Sequence, residues 1–173
     1  MTQIDDLLVA KKTPTISLAK GKLIGHVLPN GMAAFPVCLE SCFQGNINKY
    51  PLRLSTLLDS GASLNICNHI ARFKSFTKST IDEYLIAGDS EIQIEGYGRI
   101  DLPIIRPDGT KGILRIKRAA YCPTFAVNLI SFSLLYDQGI RWDTMANPTL
   151  LIHKNGNKIC QIQRLFGQWV LNY

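Results

Sequence analysis

From Phe35 to the end of the chain, apolar residues come in short runs broken by Gly, Pro, Asn and Asp, the texture of strands joined by turns. Pro36–Phe43 alternates as a strand would, and residues 45–48 are able to turn it back. Pro51–Leu58 predicts a second strand whose apolar content rises toward its end, where Asp59–Ser63 closes it in a tight loop. Tyr84–Ile94 predicts a hairpin with small residues at its tip, and Arg99–Ile105 with Gly112–Ile116 predicts another around Pro107-Asp108-Gly109. Residues 127–138 place apolar side chains at a helical spacing and stop at Gly139, the usual left-handed cap, so one short helix is expected there. Leu150–His153 and Ile159–Ile162 form a third hairpin pattern, and Gln168–Tyr173 a closing strand. Residues 1–33 differ: one short amphipathic stretch, Ile4–Val9, then lysines and small residues up to the turn at Pro29-Asn30-Gly31. The pattern divides the chain into an N-terminal arm, 1–33, and a mainly β domain, 34–173, barrel-like, closed or partly open, with one helix in its C-terminal half.

Composition narrows the class of protein. The 173 residues are 46% hydrophobic and 18% charged, an ordinary globular mix that excludes a disordered chain. No apolar run reaches the ~20 residues of a membrane helix, so a soluble protein without a membrane partner is expected. Five scattered cysteines, an odd number, argue against a disulfide framework and for a reducing compartment. Charge is uneven: +3 over residues 1–58, −3 over 59–103 and +6 over 104–173. The last segment's cations, Arg106, Lys111, Arg115, Lys117 and Arg118, are interleaved with Pro107, Gly109 and Gly112. They read as a solvated hairpin sooner than as a nucleic-acid groove.

The chemistry concentrates in Asp59-Ser60-Gly61-Ala62-Ser63. An apolar strand delivers a carboxylate to a sheet, a hydroxyl follows that can bond a neighbouring loop, and a glycine lets another backbone approach. Two such loops face to face would hold two carboxylates about 3 Å apart, where both cannot ionise and one proton is shared. The bland alternative is an ordinary turn in which the aspartate bonds its own backbone. Other chemistries fit less well. Cys38-X3-Cys42 has no second pair to complete a zinc site, and the three histidines, His26, His69 and His153, are dispersed. The glycine-rich phosphate-binding signatures are absent, and no cofactor is expected.

Context decides between turn and dyad. Leu57–Ser63, then Tyr121-Cys122-Pro123 and Val127–Ser131 in that order, resemble the retropepsins, most closely the aspartic protease of copia-type retrotransposon polyproteins. The resemblance runs from Phe35 to Tyr173. It implies that Asp59 is the catalytic aspartate, that Ser60 bonds the opposite loop, that Gly61 lets the loops meet, that Ala62 packs beneath them and that Ser63 hydrogen-bonds the outer carboxylate oxygen. It further implies a flap with its tip at Gly88-Asp89-Ser90, with Gly96-Tyr97-Gly98 as the rival tip, and with Ala87, Ile92 and Tyr97 facing substrate. Asn128-Leu129-Ile130-Ser131 would form a second loop entering the helix, with Ser131 where retroviral relatives carry glycine. The chain holds a single Asp-[Ser/Thr]-Gly, half a dyad, so an enzyme of this kind would be a symmetric homodimer. Trp169, Val170, Leu171, Asn172 and Tyr173 would then supply an interchain strand. The implied substrate is a Gag-Pol polyprotein, cut without metal in the cytoplasm or inside virus-like particles. Two other readings stay open: a catalytically silent, host-adopted copy of the fold serving as a dimerisation or capsid-interaction module, and a basic RNA-associated factor.

Overall fold

The computed structural model describes residues 50–172. The predicted arm, the Pro36–Phe43 strand, the Cys38/Cys42 pair and Tyr173 lie outside the described residues. Among the described residues eleven strands, one α-helix and one 3-10 turn follow in order: β1 (Thr56–Asp59), β2 (Ile66–Cys67), the 3-10 turn (Ile70–Arg72), β3 (Phe73–Ala87), β4 (Ser90–Ile105), β5 (Lys111–Tyr121), β6 (Asn128–Ser131), α1 (Phe132–Asp137), β7 (Ile140–Asp143), β8 (Leu150–His153), β9 (Lys158–Gln161), β10 (Gln163–Leu165) and β11 (Gln168–Asn172). Eight strands make one sheet in the order β10-β11-β1-β6-β2-β5-β4-β3, and β7-β8-β9 make a second. The large sheet ends at β10 and β3, so it is open where a barrel would close on itself.

The short central strands are buried on both faces, which explains why they read as unbroken apolar runs instead of alternating ones. Neighbouring residues point to opposite sides of the sheet. Leu57, Ile66, Leu129 and Val170 enter one core, with Leu52, Leu85, Ile94, Phe125 and Val127. Leu58, Cys67, Ile130 and Leu171 enter the other, with Ile100, Leu102, Leu135, Ile140, Leu151 and Ile162. Each of these side chains is at least nine-tenths buried.

Four expectations need correction. The strand predicted over Pro51–Leu58 begins only at Thr56. Residues 50–55 form turns, with the Arg53 N–H donating to the Tyr50 carbonyl and Ser55 to Leu52, because Leu52 turns into the core while Leu54 stays 61% exposed. The helix predicted from 127 begins at Phe132. Residues Asn128–Ser131 are neither helix nor loop but strand β6, since the sheet buries both Leu129 and Ile130, on opposite faces. Ser131 caps α1, its Oγ accepting from the Leu134 N–H at 3.2 Å, and Gly139 ends it at φ +79°.

Gly96 and Gly98 lie within β4 and not at a hairpin tip. A Cβ on either would collide with the β3 backbone, at the Thr77 carbonyl for Gly96 and the Ser75 carbonyl for Gly98, so the pair marks a close approach of strands. The tip is Gly88-Asp89, between the paired Ala87 and Ser90, with Gly88 at φ +60°. Finally, β11 is not a spare edge. It pairs with β10 on one side and β1 on the other. Its Val170 and Leu171 are buried within the chain, and its Trp169 meets Trp142 of β7 edge-on at 5.3 Å.

Candidate active site

Sheet order brings the two sequence motifs together. β1 and β6 run parallel and adjacent, with Leu57 opposite Leu129, Leu58 opposite Ile130 and Asp59 opposite Ser131. The chain leaves β1 at Asp59 and turns at Ser60 and Gly61, both exposed, before Ala62 dives back into the core. The Asp59 side chain is 8% exposed. Its Oδ1 accepts the Gly61 N–H at 2.7 Å, while its Oδ2 is buried with no hydrogen-bond partner. Burial pushes this carboxyl above its ordinary range, and the backbone N–H groups of Gly61 and Ala62 offset only part of that.

The loop is braced from beneath. The Ser131 hydroxyl donates to the Ala62 carbonyl at 2.6 Å, and the Ser131 N–H donates to Asn65 Oδ1 at 3.0 Å. Asn65 Nδ2 in turn donates to the Arg118 carbonyl at 3.0 Å, tying the loop's exit to β5. Asn128, fully buried, donates to the Ser55 carbonyl at 3.0 Å and accepts the Asn68 N–H at 2.9 Å. Asn68 Nδ2 reaches the carbonyls of Arg53 and Phe125, and Arg53 spans the same turn through Phe125, Ala126 and Pro123. Buried amides of this kind fix one arrangement, because any slip leaves polar groups unpaired in a dry interior.

Ser131 and Asn128 were sequence candidates; Asn65, Asn68 and Arg53 were not. The polar-at-core pattern is the only trace of them, since Asn65 and Asn68 flank the apolar Ile66-Cys67 and look like surface residues until β2 is seen to be buried.

Other sequence candidates sit around this loop. Ala87, Ile92 and Tyr97 are partly buried against the core that holds Leu57 and Ala62, so the inner half of the β3–β4 hairpin lies on the same side as the loop. Asp89 and Ser90, at the tip, are exposed. Tyr97 carries the Arg118 guanidinium 4.1 Å over its ring, and its hydroxyl donates to Glu83 at 3.4 Å. Leu129, Ile130, Val170 and Leu171 are core residues with no polar function to offer. Cys67, Cys122 and Cys160 are free thiols in the core, and burial pushes the last two up to about 12, so they are inert at neutral pH. Among the described residues no cluster of His, Cys, Asp and Glu is placed to share a metal ion, and no helix is long and apolar enough to cross a membrane.

What the arrangement offers is a buried carboxyl, held above its ordinary range by lost hydration, on a braced loop whose outer face, Ser60-Gly61, is open. Comparison with known proteins adds one likeness, over part of the chain. Residues 56–140, from the start of β1 to the first residue of β7, match the family model described as Pol polyprotein, beta-barrel domain. That match supports a β-rich domain derived from a Pol polyprotein. No curated protein and no solved structure matches the chain.

Proposed function

We propose that this chain is one half of a homodimeric aspartic endopeptidase of the retropepsin type, acting on an extended stretch of polyprotein. One observation carries the reading: Asp59 ends an apolar strand with one carboxylate oxygen on the Gly61 N–H and the other buried and unpartnered. A second Asp59, brought up across a two-fold axis, would give that oxygen a partner and share its proton. Water between the two carboxyls is then deprotonated by the ionised one as it attacks the scissile carbonyl. The protonated one donates to the carbonyl oxygen, and the proton is passed to the leaving amine as the tetrahedral adduct collapses. The exposed Ser60 and Gly61 are the residues that would meet their counterparts, and the hairpin tip at Gly88-Asp89 would cover the peptide and exclude water.

The test is cleavage of a mixed peptide library at pH 5–6 by the intact chain and by Asp59→Asn, with the solution mass of each. Turnover by a dimer, lost in Asp59→Asn and falling as pH rises past neutrality, is the expected result. A folded dimer that cuts nothing would overturn the enzymatic reading.

A second reading draws on β11. Because that strand already has a partner on each side, the chain completes its own sheet there without a second copy. This favours a stand-alone interaction module of the same origin, and a stable monomer that binds a polyprotein segment without cutting it would establish it.

A further inference from the structure

Immediately beyond the Asp59 loop the surface opens into a pocket of about 530 Å3, the size range of small-ligand and side-chain sites. Its floor is apolar and buried, made by Leu64, Ile116, Ala120 and Leu135. Its rim is cationic. The register of β4 against β5 slips between Gly98 and Ile100, where Ala119 and Ile116 are their partners, so β5 carries one residue more than β4. That bulge lifts Lys117 and Arg118 out of the ladder, which is what bulges do to re-aim side chains. The carbonyl it frees, that of Arg118, is the one Asn65 takes, so the bulge is fastened directly to the active loop.

Charge is unbalanced at this rim. Arg115 is answered by Asp101 at 3.4 Å. Lys117 and Arg118 have no carboxylate within ion-pair distance among the described residues. The rim's own acid, Glu83, is held by the Ser79 hydroxyl at 3.0 Å and by the Tyr97 hydroxyl. Arg118 meanwhile sits over the Tyr97 ring at 4.1 Å, which positions the guanidinium without neutralising it.

We propose that this pocket selects an acidic side chain of the bound polypeptide, with Lys117 and Arg118 as its specificity-determining residues. The proposal rests on the reading that a peptide crosses the Asp59 loop. On that reading the peptide crossing Asp59 runs on toward Ser63 and Asn65, which line the pocket, where the aliphatic part of a glutamate would fit the apolar floor and its carboxylate would meet the two cations. Lysine and neutral side chains lack that match, and a lysine would meet like charge.

The experiment measures binding separately from cutting. Extended peptides in which a single glutamate is scanned along a neutral sequence, each paired with its glutamine counterpart, are titrated by fluorescence polarisation against the intact chain and Asp59→Asn. At one scan position the glutamate peptide should bind roughly tenfold more tightly than its counterpart, as a charge-assisted contact predicts. The preference should weaken with added salt. In Lys117→Gln with Arg118→Gln it should disappear, and in Lys117→Glu with Arg118→Glu a lysine peptide should be preferred. Both positions are exposed, so these variants keep the core intact. Equal binding of glutamate and glutamine peptides at every position, a preference untouched by the variants, or no peptide binding at all would overturn the proposal. An acid preference in a chain that never cuts sustains the pocket and removes the protease; cutting without an acid preference does the reverse.

Discussion

Two of the aspartate turns among the described residues share their local geometry and behave in opposite ways. In Asp59-Ser60-Gly61 the carboxylate accepts the N–H two residues on, at 2.7 Å. In Asp108-Gly109-Thr110 it does so as well, at 2.9 Å, and the Thr110 hydroxyl adds a second bond at 2.7 Å. The local chemistry is shared, an aspartate folding back on its own backbone. The setting is not. Asp108 stands in water at the tip of the β4–β5 hairpin, and the Thr110 hydroxyl and N–H hold its carboxyl below the ordinary range. Asp59 is buried at the end of a strand with both faces covered, and there loss of hydration outweighs the backbone bonds and holds it above that range. A turn motif therefore says only that a carboxylate is held; the burial of the strand that delivers it sets the direction in which its proton affinity moves.

If burial makes the difference, weakening the brace beneath Asp59 should cost far more than the same change at Asp108. The largest effect is expected for Asn128→Ala. It strands the Asn68 N–H in the core, takes from the Ser55 carbonyl one of its two bonds (the backbone N–H of residue 128 stays on it), and leaves a void, for a loss of about 2–4 kcal/mol in urea unfolding. Ser131→Ala comes next. It removes the bond to the Ala62 carbonyl and the cap on α1, for about 1–3 kcal/mol. Thr110→Ala, which deletes the matching hydroxyl bond at the exposed turn, should leave the urea midpoint where it was. Equal losses at the two turns would mean that the brace contributes nothing particular to Asp59.

Much of this contrast could be read in the sequence and some of it could not. Apolar residues on each side of the polar turns were enough to place the three hairpins, and the order Asp59-Ser60-Gly61 after an apolar strand was enough to set that loop apart from Asp108-Gly109-Thr110. Residues 127–138 misled because an apolar pair such as Leu129-Ile130 satisfies a helix face and a strand buried on both sides equally well. Only the position of β6 between β1 and β2 settles it. The resemblance made Trp169 to Tyr173 an interchain strand, and nothing local spoke against it, because strand pairing across long sequence separations leaves no local mark. The partner β1 lies more than a hundred residues upstream. Asn65 and Asn68 were invisible for the same reason: their value lies in carbonyls supplied by β5 and by residues 53 and 125.

The sharpest comparison is the pH dependence of two matched substitutions, and the signs are opposite. Asp59 binds its proton more tightly folded than unfolded. Wild-type stability should therefore fall as pH rises from the unfolded carboxyl's value through the raised native one, and the penalty is complete above it. Asp59→Asn removes the ionisable group, so the variant should gain on wild type across that window and lose its advantage in acid below it. Asp108 is held below its ordinary range, so its contribution is present above the unfolded value and is lost as pH falls through the native one. Asp108→Asn should match wild type in strong acid and fall slightly behind it at neutral pH, by less than the Asp59 effect because water screens the exposed turn. Urea midpoints taken from pH 2 to 8 on the three proteins check both signs. Curves for Asp59→Asn and Asp108→Asn that bend the same way would show that the two turns differ in sequence context alone, and that the carboxyl at the end of β1 is not poised to share a proton.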